Sequence, residues 1–488
     1  MLVLGRVVAV VISLATQVLI VRQLSKSAYG SFAYALSVIS TARILVDFGH
    51  QKAVAHFLSL YDERGEKRKL VGTVVMEIRL IAGTGLLAFL VVAGFRNLLA
   101  GNIIDDEQAI SLLVIMILLA PLEALDGLFE SVVAVLGEAS AIFFRKYLLA
   151  PLLRLGAVAL LVLFDAPVRF LAAGYVAAGL IGLVAYASII YRVLQRRQLL
   201  AYFRKGSFKM PVREVFGFAL PLLTYELVFI AVNTISILLV GYFSGTEEVA
   251  AYRAVAPIAR VNQLVGWTFA VLFMPMAARF FARGDRSGMR DAYWRTSLWL
   301  TVLTFPIFAV TGPLARPVTQ FLFGARYADS ALLLGLLSLG YYLNISLGFN
   351  SLALQTFGRI RYLVTVNLVS VVFNLVLGWV LISRHGSLGV AITNAATLVL
   401  LNLLTQLGLP SIGIGFLDRR FARAYATIVA GGLGLWLLQL RLNPPLLVGL
   451  VIAGLLSIGL LVINRRHLRA DESFPELQRI PWLGRWLT

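Results

Sequence analysis

A chain of 488 residues that is 60% hydrophobic and 14% charged lies far from soluble globular proteins, which carry roughly 25% charged residues. Its mean hydropathy of +0.88 and its recurring apolar runs predict an all-α, polytopic membrane protein. It has no cysteine, and its four histidines (His50, His56, His385, His467) have no ligand spacing, so disulfides, thiol chemistry, a metal site and a cofactor are not expected.

In chain order, the apolar runs predict about 14 transmembrane helices: 1–21, 29–49, 70–94, 109–135, 148–164, 170–191, 215–243, 249–276, 296–313, 331–355, 364–383, 389–411, 425–440 and 446–463. The first has no basic stretch ahead of it and reads as a retained span, not a cleaved signal peptide. Alternate connections, with the tail, hold 29 Lys and Arg residues and the opposite set holds 8. The net charge of +19 is therefore a positive-inside signature and not a nucleic-acid footprint. With an even span count, both termini are expected in the cytoplasm.

The longest inner connection, 192–213, carries seven basic residues and separates an N-terminal lobe (1–191, spans 1–6) from a C-terminal lobe (214–411, spans 7–12). Spans 13 and 14 (412–463) and a cytoplasmic tail (464–488) follow. Residues 52–69 form a basic amphipathic stretch expected on the inner surface, and Trp482 and Trp486 in the tail suit an interface. At an offset of 219 residues, LIVRQLSKSAYGSFAYA (19–35) lies over LLVGYFSGTEEVAAYRA (238–254), a weak repeat of one span end, a turn and the next span start.

Twelve ionisable residues fall inside the spans, where a central charge costs about 2.5–3.5 kcal/mol unless it is met by a partner or a cavity. Arg6, Glu77, Arg79, Glu130 and Arg154 lie near inner ends and have a snorkelling explanation. Arg253 and Arg260 are two helical turns apart on span 8, and Glu226 and Asn233 repeat that step on span 7. Arg43 and Asp47 are i, i+4 on span 2, with mutual neutralisation as the plain alternative. Glu123, Asp126 and Glu130 form an acidic stripe on span 4, and Asn367 and Asn374 suit helix–helix hydrogen bonds. Prolines at 121, 151, 221, 257, 275 and 306 predict kinks. A polar interior with no long outer connection suits a transporter or channel better than an enzyme.

The turn Leu24-Ser-Lys-Ser-Ala-Tyr-Gly30, the Asp47-Phe-Gly49 turn, Leu322-Phe-Gly-Ala-Arg-Tyr-Ala-Asp-Ser330, Gln355-Thr-Phe-Gly-Arg359 and Gly386-Ser-Leu-Gly389 together resemble the Wzx-type O-antigen flippases. These are the polysaccharide transporters of the multidrug/oligosaccharidyl-lipid/polysaccharide (MOP) exporter superfamily. The resemblance covers 1–411. It implies two six-helix lobes around a cationic central cavity in the bacterial cytoplasmic (inner) membrane. Alternating access there carries an undecaprenyl-pyrophosphate-linked oligosaccharide, an O-antigen, capsule or exopolysaccharide repeat unit, from inner to outer leaflet. Membrane lipids and a polysaccharide polymerase complex are the implied partners. By span, Arg6, Arg43, Arg253 and Arg260 correspond to the family's cavity arginines, although span 7 here carries none. Asp47, Glu123, Asp126, Glu226 and Asn233 are candidates for coupling or for a polar cavity wall. A drug/cation antiporter of the same superfamily is the alternative, since the span-4 acids would suit organic cations.

Overall fold

The computed structural model describes residues 2–47, 50–94, 106–137, 139–204, 206–219 and 234–468. Among these residues the chain is helical, with no strand. Ten helices are long and apolar enough to cross a membrane, or up to 12 if two sharply bent pairs each count as one span. The expected 14 is thus not reached among the described residues, and most of expected span 7 lies outside them.

The chain divides into two compact units, Met1–Arg253 and Ala254–Thr488. The first contains α1 (Leu2–Gln23), α2 (Lys26–Asp47), the amphipathic α3 (Gln51–Glu63), α4 (Lys67–Gly94), α5 (Glu107–Val135), α6 (Ser140–Leu163), α7 (Val168–Arg196), the short α8 (Leu200–Arg204) and α9 (Ser236–Ser244). The unit boundary falls inside α10 (Thr246–Arg260). The second contains α11 (Leu264–Arg283), α12 (Arg286–Thr311), α13 (Ala315–Phe323), α14 (Ser330–Thr356), α15 (Ile360–Ile412), α16 (Arg419–Leu442) and α17 (Leu446–Leu468).

Local chemistry sets the ends of these helices. Gly284 takes the left-handed conformation (φ 67°) that ends α11, and Asp285 beside it accepts from the Gly288 N–H at 2.8 Å to start α12. That bond, then the Ser287 hydroxyl and the nearby Arg283, holds the Asp285 carboxyl below the usual carboxylate range. The 53-residue α15 is not one rod. Gly386, at φ 52° and ψ −127°, breaks the helical path. Tyr362 donates to the Leu404 carbonyl, and Asn374 donates to Thr397 at 3.0 Å. Residues 42 apart on a straight helix would be about 63 Å apart, so α15 is an antiparallel hairpin of two legs. Asn374 is buried between the legs, as a helix–helix hydrogen-bonding residue should be.

The repeated segments of the sequence meet within the first unit. An ideal Cβ on Gly30 would lie 2.1 Å from the Thr246 carbonyl oxygen, and one on Gly241 would lie 2.2 Å from the Tyr34 ring. Glycine is therefore needed where α2 passes the turn from α9 to α10. Asp106 secures the same place. It caps α5 through the Ala109 N–H (3.0 Å) and accepts from Ser31 Oγ (2.6 Å) and Thr246 Oγ1 (2.7 Å).

Gly30→Leu should lower the thermal midpoint of the purified protein, at an expected cost of about 1–3 kcal/mol for overpacking. Gly83→Ala, where an added Cβ meets nothing within 4 Å, should leave it unchanged or raise it. Equal responses of the two variants would contradict the close approach.

Candidate functional site

The acids of the α5 stripe are not left as a bare row of like charges. Each acid pairs with a base on α6: Glu123 with Arg154 at 2.9 Å, Asp126 with Arg145 at 2.7 Å and Glu130 with Lys146 at 2.6 Å. Arg145 and Lys146 belong to a π-helical turn, Phe143–Leu149, at the start of this span, where the wider helical register sets side chains off the ordinary α spacing. Arg145 is buried and its Nε also donates to the Gly182 carbonyl of α7 at 3.0 Å. An ideal Cβ on Gly182 would sit 2.4 Å from the guanidinium, so the glycine makes room for it. The apolar run starts span 5 at 148 and leaves Arg145 in the preceding connection, so hydropathy does not single it out. The usable signal is the set of three bases, Arg145, Lys146 and Arg154, on a mostly apolar stretch, set against the three spaced acids of α5.

Glu77 does not snorkel. Its Oε1 lies 2.9 Å from His50 Nδ1, with both side chains buried, and Phe216 packs edge-on against the His50 ring. Glu130 and Arg154, two more of the five inner-end residues with a snorkelling explanation, take part in the α5–α6 ladder.

Among the candidate arginines, Arg253 is half-buried and its Nη2 donates to Ser37 Oγ on α2 at 2.6 Å. Pro257, four residues on, has no N–H to give the Arg253 carbonyl, and Gln17 of α1 supplies one through Nε2 at 3.2 Å. The same Gln17 amide bonds the Tyr29 hydroxyl. Gln17 was not singled out in the sequence, although the pair Arg253 and Pro257 announces a carbonyl in need of a donor. Arg260, exposed at the end of α10, donates from Nε to the Tyr341 hydroxyl of α14 at 3.2 Å. Two turns of one helix separate the two arginines, yet the structure gives them different neighbours.

Arg43 is half-buried on α2, and among the described residues its buried Nε has no hydrogen-bond acceptor and no ion pair joins it to Asp47. The plain alternative, mutual neutralisation at i, i+4, is therefore not formed among the described residues. Arg6 is exposed, and it and Arg43 both lie about 27 Å along their helices from the α1–α2 turn. Asp47 is half-buried at the end of α2. Glu226 and Asn233 lie outside the described residues, as do Phe48, Gly49, Trp482 and Trp486.

The second unit contains an apolar cavity of about 360 Å³. Phe305 and Phe308 of α12, Tyr342 of α14, Leu403 of α15 and Tyr425 and Trp436 of α16 line it. Phe308 and Tyr342 stack with ring centroids 4.4 Å apart. Such a predominantly apolar lining suits a hydrocarbon chain.

Arg145→Ala should destabilise the purified protein by about 1–3 kcal/mol, because it strands the Asp126 carboxylate and the Gly182 carbonyl. Adding Asp126→Asn should recover part of that loss, read as thermal midpoints in a double-mutant cycle. Strict additivity would mean that the two charges are not coupled.

The sequence matches the family model described as polysaccharide biosynthesis protein over residues 19–332. It is 26% identical to an uncharacterized membrane protein of Methanocaldococcus jannaschii over 155 residues, 31% of this chain and 30% of that one. The alignment thus spans about a third of the length of that curated relative. Among solved structures, the chain is similar to the lipid II flippase MurJ in an inward closed conformation, with a TM-score of 0.73 at 15% identity over 95% of this chain and 98% of that one. An inward-facing multidrug resistance MATE family transporter of the MOP superfamily gives 0.61 at 14% identity, over 83% and 94% of the two chains. A MOP superfamily transporter from Pyrococcus furiosus gives 0.53 at 14% identity, over 84% and 93%. At these identities the likeness is one of fold. The chain has the fold of the MOP-superfamily transporters and belongs to the polysaccharide biosynthesis protein family.

Proposed function

We propose that this protein is a flippase, not an enzyme, which moves an undecaprenyl-pyrophosphate-linked oligosaccharide from the inner to the outer leaflet of a bacterial cytoplasmic membrane by alternating access. The observation that carries this reading is the fate of the charges. The acids of α5 are neutralised by the bases of α6, whereas the buried Nε of Arg43 has no acceptor among the described residues. A path whose acids are already matched suits an anionic cargo and not an organic cation. Arginine is apt for that cargo, since its planar fork of donors fits phosphate and it does not deprotonate.

A lipid diphosphate carries about two negative charges, and moving it uncompensated through a low-dielectric bundle is prohibitive. Arg6, Arg43, Arg253 and Arg260 are the residues proposed to compensate it. Arg260 lies about 10 Å further along α10 than Arg253, two steps of a ladder along that helix. A membrane potential negative inside favours outward movement of a dianion by about 4.6 kcal/mol per 100 mV, so the protein need only lower the barrier. The apolar cavity lined by Phe305 and Trp436 supports the lipid half of the reading by offering room for a segment of hydrocarbon. The basic 192–213 connection and both termini are placed in the cytoplasm by the positive-inside asymmetry.

In a strain lacking the gene, Arg43→Ala or Arg260→Ala should abolish surface-glycan export at normal protein levels. Arg260→Lys should retain part of it, because charge survives without the fork. Wild-type export by the Arg253→Ala/Arg260→Ala double variant would sink the proposal, and resistance to cationic drugs conferred by the wild type would favour the antiporter instead.

A further inference from the structure

Where α4 begins its crossing, the first unit has a second cavity, of about 530 Å³, unconnected with any residue assigned above to transport. Two stretches of chain far apart in sequence form it: Gly65–Lys69, at the entry to α4, and Ser207–Lys209, with Tyr202 of α8 alongside. These stretches are fastened together. The Lys209 N–H donates to the Arg68 carbonyl at 3.1 Å. Gly72 lets the chain come close, since a Cβ there would lie 2.0 Å from the Lys209 carbonyl oxygen. Just beyond, Glu214 accepts from the Tyr61 hydroxyl of α3 at 2.6 Å and from Lys69 Nζ at 3.3 Å. The Tyr61 hydrogen bond, then Lys69, holds the Glu214 carboxyl below the usual carboxylate range, so this fastening is intact at neutral pH and is lost only as acid protonates Glu214. Phe208, whose ring lies 6.0 Å from the Arg79 guanidinium, closes one side.

The charge on this frame is unbalanced. Lys67, Arg68, Lys69 and Lys209 line the cavity against one acid, Glu66. Lys69 is taken up by Glu66 at 2.9 Å and by Glu214. Lys67, Arg68 and Lys209 are exposed, and among the described residues no ion pair engages them. Because α4 is a candidate membrane span, its first turn lies at a membrane surface, where phosphate headgroups are the abundant anions. Tyr202 and Phe208 supply the amphipathic aromatic surface that favours the same depth.

We propose that this cavity is a phosphate-binding site for the headgroup of an anionic membrane lipid, with Lys67, Arg68 and Lys209 as its ligands. Such a site would clamp 206–209, the stretch that follows α8, to the membrane surface at the foot of α4. It needs no assumption about cargo, so its test reads binding and not export.

The test uses the full-length protein, purified and delipidated in neutral detergent. Its thermal midpoint is titrated with phosphatidylglycerol, with phosphatidylcholine and with inorganic phosphate. Phosphatidylglycerol should raise the midpoint saturably and phosphatidylcholine should not. The Lys67→Ala/Arg68→Ala/Lys209→Ala variant should need about a hundredfold more phosphatidylglycerol for the same shift, at roughly one order of magnitude or less per basic residue lost near a charged headgroup. All three side chains are exposed, so the variant should keep the wild-type midpoint without lipid. Arg279→Ala/Arg283→Ala, which removes two exposed arginines on α11, should respond to phosphatidylglycerol as the wild type does. A shift produced by inorganic phosphate and lost in the triple variant would keep the phosphate site and name a soluble phosphate as its source. An undiminished response in the triple variant, or an equal loss in the α11 variant, would overturn the proposal.

Discussion

A charged group surrounded by helices and lipid costs several kcal/mol unless a partner or water meets it, and the first unit is organised around that constraint. The acids of α5 would be untenable as a bare stripe. They are tolerated because α6 brings Arg154, Arg145 and Lys146 to them in order, through a π-helical turn that adjusts the register. Glu77 is tolerated because His50 reaches it. Once these pairs are formed, α5 and α6 act as a neutral wall in spite of six charges, and the functional interest passes to the arginines of α1, α2 and α10.

The same requirement operates on the backbone. Pro257 deprives the Arg253 carbonyl of its helical donor, and in a membrane that loss must be made good from inside the protein. Gln17 does so, and thereby ties α1 to α10 at the residue whose side chain reaches Ser37 of α2. Three helices thus converge on one arginine through one proline. Gly30 and Gly241, facing Thr246 and Tyr34, bring the two halves of the sequence repeat together just beyond. In the Leu24–Gly30 turn motif the glycine is needed for a neighbouring backbone and not for the turn itself.

Much of this was legible in the sequence, because hydropathy, basic asymmetry and turn residues are local signals. The helical class, expected spans 1–6 and 10–14 and the inter-helical role of Asn374 follow from them. Partner choice was not legible. That Glu123 meets Arg154, or that Glu77 meets His50, depends on how helices rotate about their axes, which no spacing along one helix reveals. The neutralisation that the i, i+4 spacing of Arg43 and Asp47 allows is not formed among the described residues for a different reason: such neighbours share a face, but they pair only if their side chains turn toward each other. Gln17 went unnoticed because its importance lies in a proline 240 residues away.

The chain belongs to the polysaccharide biosynthesis protein family and has the fold of the MOP-superfamily transporters, and the anionic lipid cargo is the proposal made from the paired acids of α5 and the arginine of α2. The most direct measurement is lipid translocation itself. The purified protein is reconstituted into liposomes that carry an undecaprenyl-pyrophosphate-linked oligosaccharide, and exposure of the glycan on the opposite leaflet is followed with an impermeant glycosidase. The account requires protein-dependent exposure that quickens when the loading side is made electrically negative. Exposure no faster than in protein-free liposomes, from a preparation that exchanges an organic cation across the same membrane, would contradict it.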